Sequence, residues 1–428
     1  MSNTTSTAAP GFRDVISNRN YVWLWLGQTI SQIGDSLTIV AVPLLVYALT
    51  QSATSLTLTF VIESLPWILI GPFAGVLIDR INRRTVLIWV DLLRALIVAA
   101  IFFSHSVSLI YVMIFLSQTL AAVFAPARSA VIPELIERDL YVKAISLSQS
   151  SFQTVQILGP FLATGVITLF GGPRASFLVD TVTFLAAVSC TMMIRFPKQS
   201  VKANAGQPKV SFFKSFGEGT AFLVKHKVLR YVTAINLLKA VTQSVILVSS
   251  VLYVKTQLQM SEQDSDRVYG LVVAATAIGI ILGTTLIGIL DKKLDRRFLI
   301  IGGLMLQGAT FLLIQFQPGA LALILMYGFS GFCASGALTP VSACFAESTP
   351  NEVRGRVYSV VNSVIRIALA IGYSAAGLVG AQYGAVALLT YGGILLLVAT
   401  PILTLLLQGI SALQTKQAVV NQTATSAK

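Results

Sequence analysis

The chain has 428 residues, of which 55% are hydrophobic and only 11% charged, with mean hydropathy +0.79 and formal net charge +13. Soluble globular chains carry roughly a quarter charged residues, so that class is excluded. A nucleic-acid partner is excluded too, because the Lys and Arg residues fall in short clusters between apolar runs, with no basic tract or nucleic-acid motif.

Met1 to Asn20 is polar and Ser/Thr-rich without an apolar h-region, so it does not read as a cleaved signal peptide. Apolar runs of membrane-crossing length follow at 20–49, 55–78, 85–104, 108–127, 145–170, 175–194, 231–256, 267–290, 298–316, 319–345, 358–382 and 384–408. These twelve runs divide six and six around the polar stretch Arg195 to Arg230. Helices are expected, since membrane strands are about half as long. The expected division is a tail at 1–19, bundles at 20–194 and 231–408, a linker at 195–230 and a tail at 409–428. Within the linker, Phe212, Phe213, Phe216, Phe222 and Leu223 stand beside Lys214, Lys225, Lys227 and Arg230. That mixture predicts an amphipathic helix lying on the anionic inner leaflet, or a plain tether between the halves.

Orientation follows from charge. With the N-terminus inside, 24 Lys and Arg fall on inner segments and three (Arg174, Lys255, Arg267) on outer ones. The bias predicts both termini in the cytoplasm. Arg94, Lys239 and Arg366 lie within spans. Cys190, Cys333 and Cys344 have no metal-ligand spacing and read as buried apolar side chains. His105 and His226 are isolated in connecting segments. No phosphate-binding loop or catalytic constellation is present, so neither an enzyme nor an ATP-driven pump is expected, and no cofactor or metal. Energy would then come from an ion gradient, the substrate gradient or the membrane potential.

Two turns mark an internal duplication. Gly75-Val-Leu-Ile-Asp79-Arg80-Ile-Asn-Arg83-Arg84 closes the second run, and Gly288-Ile-Leu-Asp291-Lys292-Lys293-Leu-Asp295-Arg296-Arg297 returns about 213 residues later. Pro126 matches Pro340 and Gly159 matches Gly372 at nearly the same offset. The duplication predicts two six-helix bundles as parallel copies with a cleft between them.

Ionisable residues deep in spans cost roughly 2.5–3.5 kcal/mol each on insertion scales, which makes them the leading site candidates. Gln28, Gln32 and Asp35 share one face of the first run. Glu63 shares a face of the second with Thr59 and Trp67. Asn236, Lys239 and Gln243 repeat the pattern on the seventh run, and Asn362, Arg366 and Tyr373 on the eleventh. Gln149, Gln153 and Gln156 stripe the fifth, whereas the third, sixth, ninth and twelfth runs read as apolar at their centres. Two acids from the first half would face two bases from the second. Asp35 and Glu63 are candidates to load a proton or a cationic substrate, or to be neutralised structurally by Lys239, Arg366 or backbone groups. Lys239 and Arg366 are the corresponding candidates for an anionic substrate. Arg128 and Glu134, with Arg354 and Arg356 opposite, are candidates for gate ion pairs or a solvated charge run. Gly159-Pro160 predicts a bend in the fifth helix.

Twelve runs in a six-plus-six repeat, with the Gly-x-x-x-Asp-Arg-x-x-Arg-Arg turn, resemble the major facilitator superfamily. Gln28-Thr-Ile-Ser-Gln32-Ile-Gly34-Asp35, Asp91-Leu-Leu-Arg94, Pro126-Ala-Arg128 through Glu134 to Gly159-Pro160, and Phe216-Gly-Glu218-Gly narrow the likeness. They are similar to the branch that includes macrolide-efflux proteins and the enterobactin exporter. The resemblance implies an all-α membrane protein of twelve transmembrane helices in two bundles, with the third, sixth, ninth and twelfth facing lipid. It implies a multi-pass protein of the cell inner (plasma) membrane that works as a monomer among membrane lipids. Its partners would be a small-molecule substrate and protons. Gly75, Asp79, Arg80, Arg83, Arg84, Asp91, Arg94, Asp291, Arg296 and Arg297 would then be gate elements, and Gly159-Pro160 an exporter motif limiting leak. The expected function is export of an amphipathic, drug-like or macrolide-like molecule by alternating access with proton antiport. Export of a siderophore or endogenous metabolite is the first alternative; a lysophospholipid flippase or a non-transporting membrane sensor is more distant.

Overall fold

The computed structural model describes residues 12–71, 74, 81–196, 212–290 and 295–407. Gly75, Asp79, Arg80 and Asp291 lie outside the described residues, as do residues 1–11 of the first tail and all of 409–428. The described helices are α1 (Phe12–Ser17), α2 (Arg19–Thr50), α3 (Ala53–Leu69), α4 (Arg83–Phe103), α5 (Val107–Leu135), α6 (Arg138–Phe170) and α7 (Arg174–Met193). They continue with α8 (Phe212–Lys225), α9 (Lys227–Thr256), α10 (Glu262–Leu290), α11 (Arg296–Leu312), α12 (Ala320–Ser348) and α13 (Asn351–Leu406).

Ten of these are long and apolar enough to cross a membrane. The shorter α3 is apolar as well. The eleventh and twelfth apolar runs form one continuous element of 56 residues, α13, broken at Gly384. An unbroken helix of that length would extend about 84 Å, far beyond a bilayer core of about 30 Å. Gly384 resolves this with φ 78° and ψ 178°, a conformation that a side chain disfavours and glycine accepts.

Apolar side chains occupy both the interior and the outer faces. Phe177, Phe184, Leu229 and Phe311 are fully buried, while Phe103, Leu169, Phe316 and Leu405 are each more than 70% exposed. Water would penalise that exterior, whereas lipid accepts it.

The chain clusters into two compact units, Met1–Leu45 with Leu65–Gln207, and Val46–Ser64 with Pro208–Lys428. Each repeats the other's local devices. Asn82 caps α4 by accepting from the Arg84 amide, and Asp295 caps α11 by accepting from the Arg297 amide. Gly159 lets α6 approach α2 so closely that a Cβ would sit 2.1 Å from Ser36 Oγ. In the second unit, a Cβ on Gly372 of α13 would sit 2.7 Å from Ser244 Oγ of α9.

The linker helix α8 docks on protein. Phe222 and Leu223 pack against Leu229, Val357 and Val361, and Gly219 permits contact with the Arg356 carbonyl, 2.8 Å from where a Cβ would lie. Glu218 completes the seat by pairing with Arg356. Phe222 and Leu223 therefore bury their apolar surface against α9 and α13.

Candidate functional site

In the first unit, α2, α4 and α7 converge on a buried charge cluster. Arg94 directs its fork at Asp35, with Nη2 2.5 Å from Oδ1 and Nη1 3.4 Å from Oδ2. The guanidinium lies over the Phe184 ring, 4.4 Å from its centroid, and its Nε reaches Ser117 Oγ at 3.5 Å. Asp91, one turn before Arg94 on α4, is 2% exposed, and its Oδ1 has no hydrogen-bond partner among the described residues. Asp180 of α7 is fully buried and accepts from Thr38 Oγ1 at 2.5 Å and Thr183 Oγ1 at 3.1 Å.

These contacts correct two sequence expectations. Asp35 is neutralised within its own unit by Arg94, a residue expected at a gate, because α4 packs its polar face inward. The third run is not apolar at its centre, since Arg94 lies midway along α4, and the sixth carries Asp180 inside α7. Gln28 and Gln32 share the α2 face with Asp35; Gln28 Nε2 and Gln32 Oε1 are buried without partners among the described residues. Trp67 Nε1 donates to Gln118 Oε1 at 3.0 Å.

At the other end of this unit, Arg83 pairs with Glu134 and donates to the Ala130 carbonyl at 2.9 Å. Arg84 donates to the Met192 carbonyl at 2.9 Å and lies over Phe196. Arg128 is half-buried and borders a cavity of about 150 Å³ with Tyr141, Ser148 and Gln149. The exposed Gln149, Gln153 and Gln156 stripe one face of α6. Pro160 is accommodated inside continuous helix, with its carbonyl accepting from Thr164.

The second unit mirrors the first ion pair: Arg296 bonds Glu347 at 3.0 Å, 213 residues after Arg83 and Glu134. Arg297 Nε meets Asp295 Oδ2 at 2.5 Å. The repeat offset applied to Glu134 points to Glu347, a residue the sequence reading missed along with Asp295 as a cap. Arg354 bonds the carbonyls of Ala346 and Thr349 instead of a carboxylate.

Glu63 belongs to this second unit, because Val46–Ser64 packs there. Phe60 stacks on Tyr373 at 4.9 Å, and Thr57 sits against Gly377. Glu63 lies one turn beyond Phe60 on α3, and it has no ion pair among the described residues. Helices α9 and α13 run in parallel, with Ser244 Oγ donating to the Leu369 carbonyl at 3.0 Å and Leu252 against Gly380. Lys239 and Arg366, five and three residues before that hydrogen bond, therefore lie at neighbouring heights. Asn236, Lys239 and Arg366 are partly buried and Gln243 is exposed. A polar cavity of about 350 Å³ adjoins Tyr47, Gln51, Thr256 and Gly384.

The chain is 24% identical over 357 residues to macrolide efflux protein A of Streptococcus pyogenes, covering 82% of this chain and 86% of that protein. It is 26% identical over 361 residues to the multidrug efflux pump Tap of Mycolicibacterium fortuitum, covering 80% and 85%. A crystal structure of a mutant nucleoside transporter NupG superposes with TM-score 0.71 at 10% identity, covering 90% of this chain and 99% of that one, which is a likeness of fold. The profile of a family described as transmembrane secretion effectors matches residues 6–423. With ten helices of membrane-crossing length behind that match, the protein is a multi-pass membrane protein and belongs to the transmembrane secretion effector family of major facilitator transporters.

Proposed function

We propose that the protein is a secondary-active exporter that moves an amphipathic organic molecule outward in exchange for protons by alternating access. The observation that carries this reading is Glu63: a carboxyl in an apolar helix, without an ion pair among the described residues and one turn beyond Phe60, which stacks on Tyr373. A carboxyl so placed exchanges its negative charge for a proton or for the positive end of a substrate, and the aromatic rings accept apolar or cationic surface. The efflux relatives support an organic cargo. Ten spans, the apolar α3 and the break at Gly384 support a twelve-helix topology, and the Lys and Arg bias supports cytoplasmic termini. Asp35 and Arg94 supply a buried ion pair in the first unit, while Lys239 and Arg366 set the positive side of the pathway.

The test is uptake of radiolabelled erythromycin into inside-out vesicles, with and without an imposed pH gradient. Wild-type protein accumulates the macrolide only with the gradient, and Glu63→Gln abolishes accumulation at equal expression. Gradient-independent accumulation, or full activity in Glu63→Gln, would overturn the reading.

A further inference from the structure

Asp180 is a buried carboxyl that the proposed cycle has not yet used, and its surroundings are unusual for a helix expected to face lipid. The α2 backbone is cut away to receive it: a Cβ on Gly34 would fall 2.1 Å from Asp180 Oδ1 and 1.9 Å from Thr183 Oγ1. Only glycine fits there without displacement, so Asp180 lies directly against the helix that carries Asp35. Thr38, one turn beyond Asp35 on α2, donates to Asp180 Oδ2. Thr183, on the same helix as Asp180, is hydrogen-bonded to Oδ1.

Arg94 of α4, paired with Asp35 of α2, lies over Phe184, one turn beyond Asp180 on α7, and Asp91 stands one turn before Arg94 on α4. Three carboxyl groups thus share one buried region with a single guanidinium. If all three were ionised, the cluster would hold two uncompensated negative charges in a nearly water-free interior, which desolvation forbids. Geometry separates their roles. Asp35 holds Arg94 and is the most exposed, at 33%, whereas Asp91 and Asp180 are 2% and 0% exposed.

We propose that Asp180 is the proton-holding residue of the exporter in the first unit, and that Arg94 exchanges between Asp35 and Asp180 as the proton moves. With Arg94 on Asp35, Asp180 is protonated on Oδ1 and still accepts from Thr38 at Oδ2, while Thr183 gives its hydroxyl proton to the Asp180 backbone carbonyl at 2.7 Å and accepts from Oδ1–H. When Arg94 turns to Asp180, the Asp180 O–H bond breaks, and its proton ends on the vacated Asp35 carboxylate. Asp35, the exposed member, then gives that proton to water. One proton moves from the deep carboxyl to the accessible one, and the net charge of the cluster is unchanged until the proton leaves.

This inference rests on the exporter reading for its purpose, and it is tested without a substrate. Infrared difference spectra of the purified full-length protein in lipid nanodiscs, recorded across a pH step, report protonated carboxyl groups by their C=O band. Wild type shows that band, Asp180→Asn loses a component of it, and Thr38→Val shifts the same component by removing its hydrogen bond. A band unchanged in both variants would overturn the proposal. If Asp180→Asn does not fold, an unshifted band in Thr38→Val overturns it alone. In erythromycin vesicles, Asp180→Asn loses gradient-driven uptake but retains macrolide counterflow; equal loss of both in folded protein makes Asp180 merely structural. Wild-type protein that moves no macrolide but still shows the Asp180 component would refute the exporter reading and leave the proton site standing.

Discussion

Arg94 is paired with Asp35, and its 6% exposure leaves it little water to compensate for a lost partner. Breaking a buried pair by removing one member costs about 3–5 kcal/mol, because the remaining charge stays buried. Arg94→Leu is therefore expected to lower thermal stability in detergent sharply, and Arg94→Leu with Asp35→Leu to recover part of the loss. A thermal-shift assay on the three proteins checks this; a single variant as stable as wild type would contradict the pairing. Asp35, Glu63, Lys239 and Arg366 stood out in the sequence because charge is expensive in a span. Their partners did not, since the Asp35–Arg94 contact joins residues 59 positions apart and depends on which faces α2 and α4 turn toward each other. Asp180 was legible as a lone acid among Val, Thr and Phe, but its contact with Gly34 was not.

Helix ends and crossings carry the duplication at the next scale. Asn82 and Asp295 both cap helices by accepting an amide two residues on, and the pairs Arg83–Glu134 and Arg296–Glu347 both span 51 positions. These ion pairs are partly exposed, so each contributes roughly 0.2–1 kcal/mol to stability. Their recurrence at matching places fits the conformational role that the resemblance assigned to this turn. Gly384 is the element-scale feature with the clearest energetic consequence. Gly384→Ala places a side chain at φ 78°, which costs about 1–3 kcal/mol. A lowered melting temperature with unchanged helical circular dichroism is the expected result. An unaltered melting temperature would mean that the break tolerates a side chain. The sequence located this break to within a residue or two, because Gly384 separates two apolar runs that are each long enough to span.

Over the whole molecule, the uneven distribution of Lys and Arg predicts the orientation, and native chemistry makes the test simple. Cys190, Cys333 and Cys344 are all buried, so introduced cysteines report with little background. A membrane-impermeant maleimide is expected to label Ser261→Cys in intact cells and Asn204→Cys only after permeabilisation. The reverse pattern would overturn the assignment of both termini to the cytoplasm. What the sequence determined by itself was the class of structure: apolar runs of bilayer length, a 213-residue repeat and clustered basic turns follow from composition and spacing alone. Those are one-dimensional quantities, set by the thickness of a membrane and the cost of charge within it. Tertiary structure decided which charges meet and where a segment packs. It paired Asp35 with Arg94 and Glu218 with Arg356, and it drew Val46–Ser64, with Glu63, into the second unit. The physical reason is that a helix fixes only which residues share a face, while the face that a neighbour covers depends on close approaches such as Gly34 on Asp180 and Gly377 on Thr57.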